Sequence, residues 1–477
     1  MFIPRMFFVR PNLLPVDTGG WQGDCMTDRL VIEDATVATV DAADTVLPSG
    51  HVVIEGNRIV AVGAGPAPSY ADDLPMRRVD GSDHLVTPGL VNTHHHFYQW
   101  VTRGLFQDAT LFEWLVGLYP IWSRIDEDVV YAAARGTVGS LLLSGCTTSM
   151  DHHYLFPRSA GDLLGAEIRA AGELGLRFHP TRGSMDRGES DGGLPPDFAV
   201  ESIDAILEAT SRAVDDHHDP SPDSMLRIGV APCSPFTVST DLLREAARLA
   251  RAKAVRLHTH GSETVEEETY CTEQFGMRAT DYLDSVGWLG DDVWMAHCVH
   301  LDQADIARFA STGTGVAHCP SSNARLGTGI APLPEMLAAG VSVGLGVDGA
   351  ASNESGSLGT ELRNALLLAR ARQGPTALDV RQTLRMATVG GAEVLGREAE
   401  IGSLEVGMLA DVAMWFVGGL EHSSVEDKVA ALVLGSLPPL AMLLVNGRPV
   451  VEETRLTTAD ADLIARDANV QARRLLG

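Results

Sequence analysis

Lysine is nearly missing from this chain of 477 residues: only Lys253 and Lys428 occur, and arginine carries almost all the positive charge. The balance is 36 basic against 63 acidic residues, a formal charge of −27. So acidic a surface makes nucleic acid and anionic membranes poor partners. The charge is spread rather than blocked, which reads as a solubilising surface and not an acidic tail. Cysteine is sparse, six residues at positions 25, 146, 233, 271, 298 and 319, and no C-x-x-C pair occurs. Neither a zinc ribbon nor a redox dithiol is therefore present, and scattered thiols suit a reducing cytoplasm. No run reaches the ~18–20 apolar residues that a membrane helix needs. The stretch Met1 to Cys25 has one apolar patch, Met6-Phe7-Phe8-Val9, flanked by Arg5 and Arg10. It lacks the continuous apolar core and cleavage site of a signal peptide. It reads as a disordered extension over 1–26.

Ordered patterning starts at residue 27. Leu30-Val31-Ile32, Ala35-Thr36-Val37, His51-Val52-Val53-Ile54 and Arg58-Ile59-Val60-Ala61-Val62 are short β-type runs, and Glu55-Gly56-Asn57 marks a hairpin. The C-terminal part repeats the pattern with Ala410 to Trp415, Met442 to Val445 and, after Asn446-Gly447, Arg448 to Val451. Residues 27–85 and 398–455 are thus expected to build one small β-sandwich domain from both chain ends, followed by a C-terminal helix over 456–477. The middle, 86–397, alternates short apolar strands with amphipathic helices. Candidate strands are Leu85-Val91, Thr147-Met150, Arg177-His179, Arg227-Val230, Val255-His258, Val293-Ala296, Gly315-Ala317 and Val341-Gly346. Asp126 and Thr240 are placed to cap helices. Eight strand–helix units predict an α/β fold, a (β/α)8 TIM barrel, whose chemistry gathers at the C-terminal ends of the strands.

Side chains with metal and proton chemistry fall at those ends. In Thr93-His94-His95-His96, period-two alternation turns His94 and His96 to one side and His95 to the other. His258-Thr259-His260 repeats that spacing on the fifth strand, and Glu263 follows three residues later. Only one of the two is needed as a third ligand; His260, nearer Glu263, is the candidate, with His258 beneath it. His297 closes the sixth strand. Asp348 closes the eighth, in an apolar run where an unpaired carboxylate would be costly. Three histidines, an aspartate and an open position describe a catalytic site of the zinc type, which lowers the pKa of bound water towards ~7. Glu263 is then a proton shuttle and His297 a second acid/base group.

These segments, with Pro88-Gly89-Leu90-Val91-Asn92, His318-Cys319-Pro320-Ser321-Ser322-Asn323 and Val347-Asp348-Gly349, resemble the amidohydrolase superfamily in its branch of aminoheterocycle deaminases. The resemblance implies one divalent metal, zinc or else iron, held by His94, His96, His260 and Asp348. It also implies that Glu263 protonates a ring nitrogen, that His297 activates water, and that Asp348 passes a proton to departing ammonia. Barrels of this branch commonly form homo-oligomers. The two-metal class of the superfamily needs a carboxylated lysine on the fourth strand, and Arg227 to Pro232 contains none. Finer text, including His96-Phe97-Tyr98-Gln99, Asp151-His152-His153, Thr181-Arg182-Gly183 and Ala231-Pro232-Cys233-Ser234, is similar to 8-oxoguanine deaminases and hydroxytriazine hydrolases. The Arg-Phe pair of guanine deaminases is replaced by Cys233 and Ser234, which disfavours plain guanine. Gln99 offers a donor and an acceptor to an amide-like ring edge, Arg182 a donor fork for a ring carbonyl, and His153 a pocket wall. Tyr98, Trp100, Trp114 and Trp122 are candidates for flat walls. The expected reaction is hydrolytic deamination of a small heterocycle, foremost 8-oxoguanine, with a hydroxytriazine alkylaminohydrolase or another aminoheterocycle deaminase as the alternative.

Overall fold

The computed structural model describes residues 28–477, so the extension expected over 1–26 lies outside the described residues. Eight parallel strands close into a barrel in chain order: Leu90–Asn92, Cys146–His153, Arg177–Ser184, Gly229–Pro232, Leu257–Gly261, Val293–His297, Gly315–His318 and Val343–Leu345. Every residue of these strands is buried. That is why runs such as Val293–Ala296 and Val343–Leu345 are apolar without alternation: the barrel interior and the surrounding helices cover both faces. Asp126 caps its helix as expected, accepting from the Val129 amide at 3.0 Å. At the helix Thr240–Lys253 the cap is Ser239 instead of Thr240, its hydroxyl accepting from the Leu242 amide at 3.1 Å.

The two chain ends form a separate sheet, as the patterning predicted. Eight of its nine strands run in one hydrogen-bonded path and the ninth, Met76–Asp80, pairs with Arg29–Ala38 off that path; Leu30, Ile32, Val52, Ile54, Val86, Val412, Met414 and Leu444 share one apolar core. Asn446 and Gly447 turn the C-terminal hairpin with φ of 52° and 77°, the left-handed pair that such a tight turn requires. One expectation is corrected. Leu85 to Val91 is not a single barrel strand: His84–Pro88 pairs with Val412–Phe416 in the end sheet, and only Leu90–Asn92 enters the barrel. The break falls at Gly89, where a Cβ would lie 2.2 Å from the Thr147 side chain. A buried ion pair joins the two parts, Arg177 Nη2 donating to Asp411 Oδ1 at 2.9 Å beneath the barrel. The helix Ala461–Leu476 packs on Glu127–Leu143, and no helix among the described residues is long and apolar enough to cross a membrane.

Candidate metal centre and substrate cavity

The first strand delivers His94 and His96, the fifth His260, and the loop after the eighth Asp348. Their side chains meet. His96 Nε2 lies 3.2 Å from His260 Nε2 and 3.2 Å from Asp348 Oδ1, and His94 Nε2 lies 3.3 Å from the same oxygen. Hydrogen bonds at the other ring nitrogens decide what these atoms are. His96 Nδ1 donates to the His152 carbonyl at 2.8 Å, and His260 Nδ1 to the Cys233 carbonyl at 2.6 Å. His258 Nδ1 donates to the Trp294 carbonyl at 3.0 Å, so its Nε2 accepts from His94 Nδ1 at 2.8 Å. Each Nδ1 therefore carries the proton, and three Nε2 lone pairs converge beside a carboxylate oxygen. His94 Nε2 has no hydrogen-bond partner at all. Lone pairs so close repel unless a cation lies between them. Ligands ~2.0–2.1 Å from a tetrahedral zinc ion stand roughly 3.3 Å apart, the spacing observed. The donor set therefore fits a divalent metal, with outer hydrogen bonds orienting each ring.

Burial pushes His94 well below the ordinary imidazole range and His260 down to about 3, which keeps both rings neutral and able to ligate. For Asp348 burial raises the pKa, but the His94 and His96 contacts outweigh it and hold the carboxyl well below its usual range. Its Oδ2 also accepts from Ser322 Oγ at 2.6 Å and Ser352 Oγ at 3.1 Å. The backbone is strained at these strand ends: Ser262, His297, Cys298 and Asp348 all have left-handed φ, between 49° and 73°. Non-glycine residues adopt it at a cost that active sites commonly bear.

Glu263 and His297 stand beside the cluster, His297 Nε2 at 3.7 Å from Glu263 Oε2. Burial, and then the nearby Asp348, pushes the Glu263 carboxyl well above the usual range. Glu267 anchors the turn that carries it, accepting from the Ser262 and Glu263 amides at 3.0 and 2.9 Å. His297 Nδ1 bonds to Asn323 Oδ1 at 2.9 Å, leaving Nε2 towards Glu263. Asn323, Ser322 and Glu267 received no role from the sequence. The segment Cys319 to Asn323 was the available signal, but a positioning role cannot be read without knowing which loop faces it.

His96, His260, Glu263, His297, Asp348 and Gln99 line one cavity. Gln99 Oε1 is buried without a partner. It nestles against Gly349, where a Cβ would lie 1.8 Å from that oxygen. The opposite wall is one face of the helix Leu111–Trp122, formed by Leu111, Trp114, Leu115 and Tyr119 at helical spacing, joined by Tyr154 and Phe236. Among the described residues no arginine or lysine lines the cavity. Arg182 and His153 are not brought to it. Arg182 forks onto Glu201 at 2.8 and 2.9 Å and covers the Phe156 ring, while His153 is fully buried between Glu167 and the Leu155 carbonyl. Among the four expected aromatic walls only Trp114 lines the cavity; Tyr98 and Trp122 pack in the core, and Trp100 lies under Arg103. His152 donates to the Ala231 carbonyl at 2.8 Å and stacks on His260, and His300 bonds to the Thr328 carbonyl. His318 ends the seventh strand and is buried. The fourth strand, Gly229–Pro232, holds no lysine, and Lys253 pairs with Asp215 on the outside.

The amidohydrolase family matches residues 85–448, and the chain belongs to that family. It is a hydrolase acting on carbon–nitrogen bonds. An 8-oxoguanine deaminase of Pseudomonas aeruginosa is 45% identical over 369 residues, 77% of this chain and 81% of that protein. A hydroxydechloroatrazine ethylaminohydrolase of Pseudomonas sp. (strain ADP) is 39% identical over 400 residues, 81% of this chain and 82% of that protein. The crystal structure of atrazine chlorohydrolase TrzN from Arthrobacter aurescens TC1 complexed with zinc superposes with a TM-score of 0.88 at 34% identity, covering 93% of this chain and 100% of that one.

Proposed function

We propose that this chain is a zinc-dependent deaminase of a flat, neutral aminoheterocycle, foremost 8-oxoguanine, that releases ammonia. His94, His96, His260 and Asp348 would hold the ion, and zinc is favoured over iron by the zinc complex of a structural neighbour. When bound, such an ion acidifies water and polarises the carbon under attack.

The rest falls to the protein. Glu263, kept protonated by its burial, donates to the ring nitrogen next to the carbon bearing the amine. His297, its Nδ1 engaged by Asn323, presents Nε2 as the acceptor for the proton of the attacking water. Asp348, ionised at the start, would take the remaining proton of the added hydroxyl and pass it to the departing amine. Gln99 reads the amide-like edge of the ring with an acceptor that nothing in the protein satisfies. The helix Leu111–Trp122 covers the ring and keeps bulk water out. Such a reaction belongs to purine metabolism in the cytosol.

One observation carries the reading: four convergent ligand atoms beside the buried Glu263 carboxyl, in a cavity walled by apolar and aromatic side chains and lined, among the described residues, by no arginine or lysine. A carboxylate- or phosphate-bearing substrate would lack a counter-charge there. The 8-oxoguanine deaminase similarity supports the purine ring. A second reading, loss of an alkylamine from a hydroxytriazine at the same site, is supported by the ethylaminohydrolase and the triazine-hydrolase fold neighbours.

A panel of 8-oxoguanine, guanine, an aminopterin and hydroxyatrazine, assayed for ammonia and ethylamine on zinc-loaded protein, tests both. Fastest ammonia release from 8-oxoguanine supports the first reading, and fastest ethylamine release from hydroxyatrazine the second. No amine from any compound at full metal loading defeats both.

A further inference from the structure

A second group of ionisable side chains lies just outside the metal cluster, and the cavity does not reach it. Asp151, His153 and Glu167 are completely buried, with oxygen and nitrogen atoms close enough together to be considered for a second ion. Asp151 and His153 flank His152 at the end of the second strand, and Glu167 comes from the helix Leu163–Leu174. The distances speak for protons. His153 Nδ1 is 2.7 Å from Glu167 Oε1, a hydrogen-bond length well inside the roughly 3.3 Å between neighbouring ligands of a tetrahedral zinc.

The donors can be assigned one by one. His153 Nε2 faces the Leu155 carbonyl at 2.7 Å, and a carbonyl only accepts, so Nε2 carries a proton. A neutral ring then accepts at Nδ1, and the proton in that bond sits on Glu167 Oε1. Glu167 also lies beside Asp151, an oxygen of each within 4.8 Å of the other. Glu167 Oε2 and Asp151 Oδ2 are both buried, and no donor from elsewhere among the described residues reaches either. Two carboxyls so placed can share a hydrogen bond only if Asp151 supplies the proton. Asp151 Oδ1 finally accepts from the Phe97 amide at 2.6 Å.

The result is one directional chain from the Phe97 amide through Asp151, Glu167 and His153 to the Leu155 carbonyl. With the two carboxyls sharing a proton it has no net charge, which avoids the desolvation cost of a buried charge. Burial pushes both carboxyls well above their usual range and His153 down to about 4, in the direction this assignment needs.

The chain grips the metal-binding segment. Phe97 follows His96 directly, and the same strand end accepts from His96 Nδ1 through the His152 carbonyl and donates from the His152 amide to the His95 carbonyl at 2.8 Å. We propose that Asp151 and Glu167 are a pair of protonated, uncharged carboxylic acids that position His96 for metal binding through the Phe97 amide, and that they hold no ion themselves. The proposal rests on reading His96 as a metal ligand.

Side-chain amides imitate protonated carboxyls, and this supplies the test. In D151N the new N–H donates to Glu167 and the oxygen still accepts from Phe97; in E167Q the N–H donates to His153. Zinc affinity is measured by chelator competition on folded protein, beside zinc stoichiometry and the protonated-carboxyl infrared band. D151L is expected to bind zinc about 10–100-fold more weakly, the usual effect of losing an outer-shell partner, and D151N and E167Q less than about tenfold more weakly. The parent should hold one zinc per chain and show carboxyl bands that D151N and E167Q each diminish. Amide variants as weak as D151L, amide variants that do not fold, or a second tightly held zinc lost in D151N would overturn the proposal. So would a folded D151L with parental zinc affinity. A parent that binds no zinc tightly would instead sink the reading of the metal centre.

Discussion

The acceptor role of His258 makes a demanding test of the metal centre, because His258 touches no solvent and does not line the cavity. Its ring lies on Trp294, with centroids 4.6 Å apart and planes at 26°, and its Nε2 takes the proton of His94 Nδ1 at 2.8 Å. H258F keeps the stacking surface and much of the volume but removes both nitrogens. His94 Nδ1 then keeps a buried proton with nowhere to donate it, a loss of about 1–3 kcal/mol. The tautomer that points the Nε2 lone pair at Asp348 loses its preference by the same amount. Metal affinity should fall about 10–100-fold, which is roughly 1.4–2.8 kcal/mol, while the melting temperature of the metal-free protein moves little because the packing survives. Competition with a chromophoric chelator at a temperature where both proteins are folded reads this directly. If H258F binds zinc with parental affinity, the tautomer of His94 is not set by His258, and the hydrogen-bond assignment around the centre is wrong.

Three further outcomes follow from the same geometry. E263Q should retain the metal and lose about 10²–10⁴-fold in kcat, the range for removing a general acid; metal analysis beside steady-state kinetics checks it, and an active variant removes Glu263 from the mechanism. G349A puts a Cβ 1.8 Å from Gln99 Oε1 and must push that amide aside. It should lower kcat/KM about tenfold or more, the value of a hydrogen bond to substrate, without touching metal content, and unchanged kinetics would show that Gln99 does not hold the ring. The third concerns pH. Burial pushes Glu267 from 4.5 to about 7, so the folded chain binds its proton more tightly than the unfolded chain does. Its stabilising contribution is complete below about 4.5 and is lost as pH rises through about 7, at most about 3 kcal/mol. E267Q should flatten the fall of the urea midpoint over that interval, and an unchanged slope would refute the assignment.

How far the sequence could be read differs from residue to residue. His94, His96, His260 and Asp348 were legible because each sits at the end of an apolar strand, and parallel strands of a closed barrel bring such ends to one rim. His258 was legible as lying beneath His260 for the same reason: period two keeps them on one side. Arg182 was read as a ring-carbonyl donor from its place near the end of the third strand, which it does occupy. Its guanidinium turned to Glu201, nineteen positions on, and no local pattern announces that pairing. His153 was misread for a related reason. Strand alternation turns it away from the barrel, where Glu167 on a following helix and the Leu155 carbonyl hold its two nitrogens. The wall aromatics were indistinguishable from core ones, since Trp114 and Trp122 share a helix and only the docking angle of that helix decides which of them faces the cavity.

By itself the sequence determined the α/β barrel, the end sheet with its Asn446-Gly447 turn, and the types and order of the side chains able to hold a metal. Those follow from periodicity and local backbone preference, which act over a few residues. Tertiary structure alone decided the protonation pattern. Whether His94 carries its proton on Nδ1, or Asp151 and Glu167 carry any charge at all, depends on partners 164 and 16 positions away in the chain. It depends also on the exclusion of water, and a hydrogen bond acquires its direction only when both ends are in place.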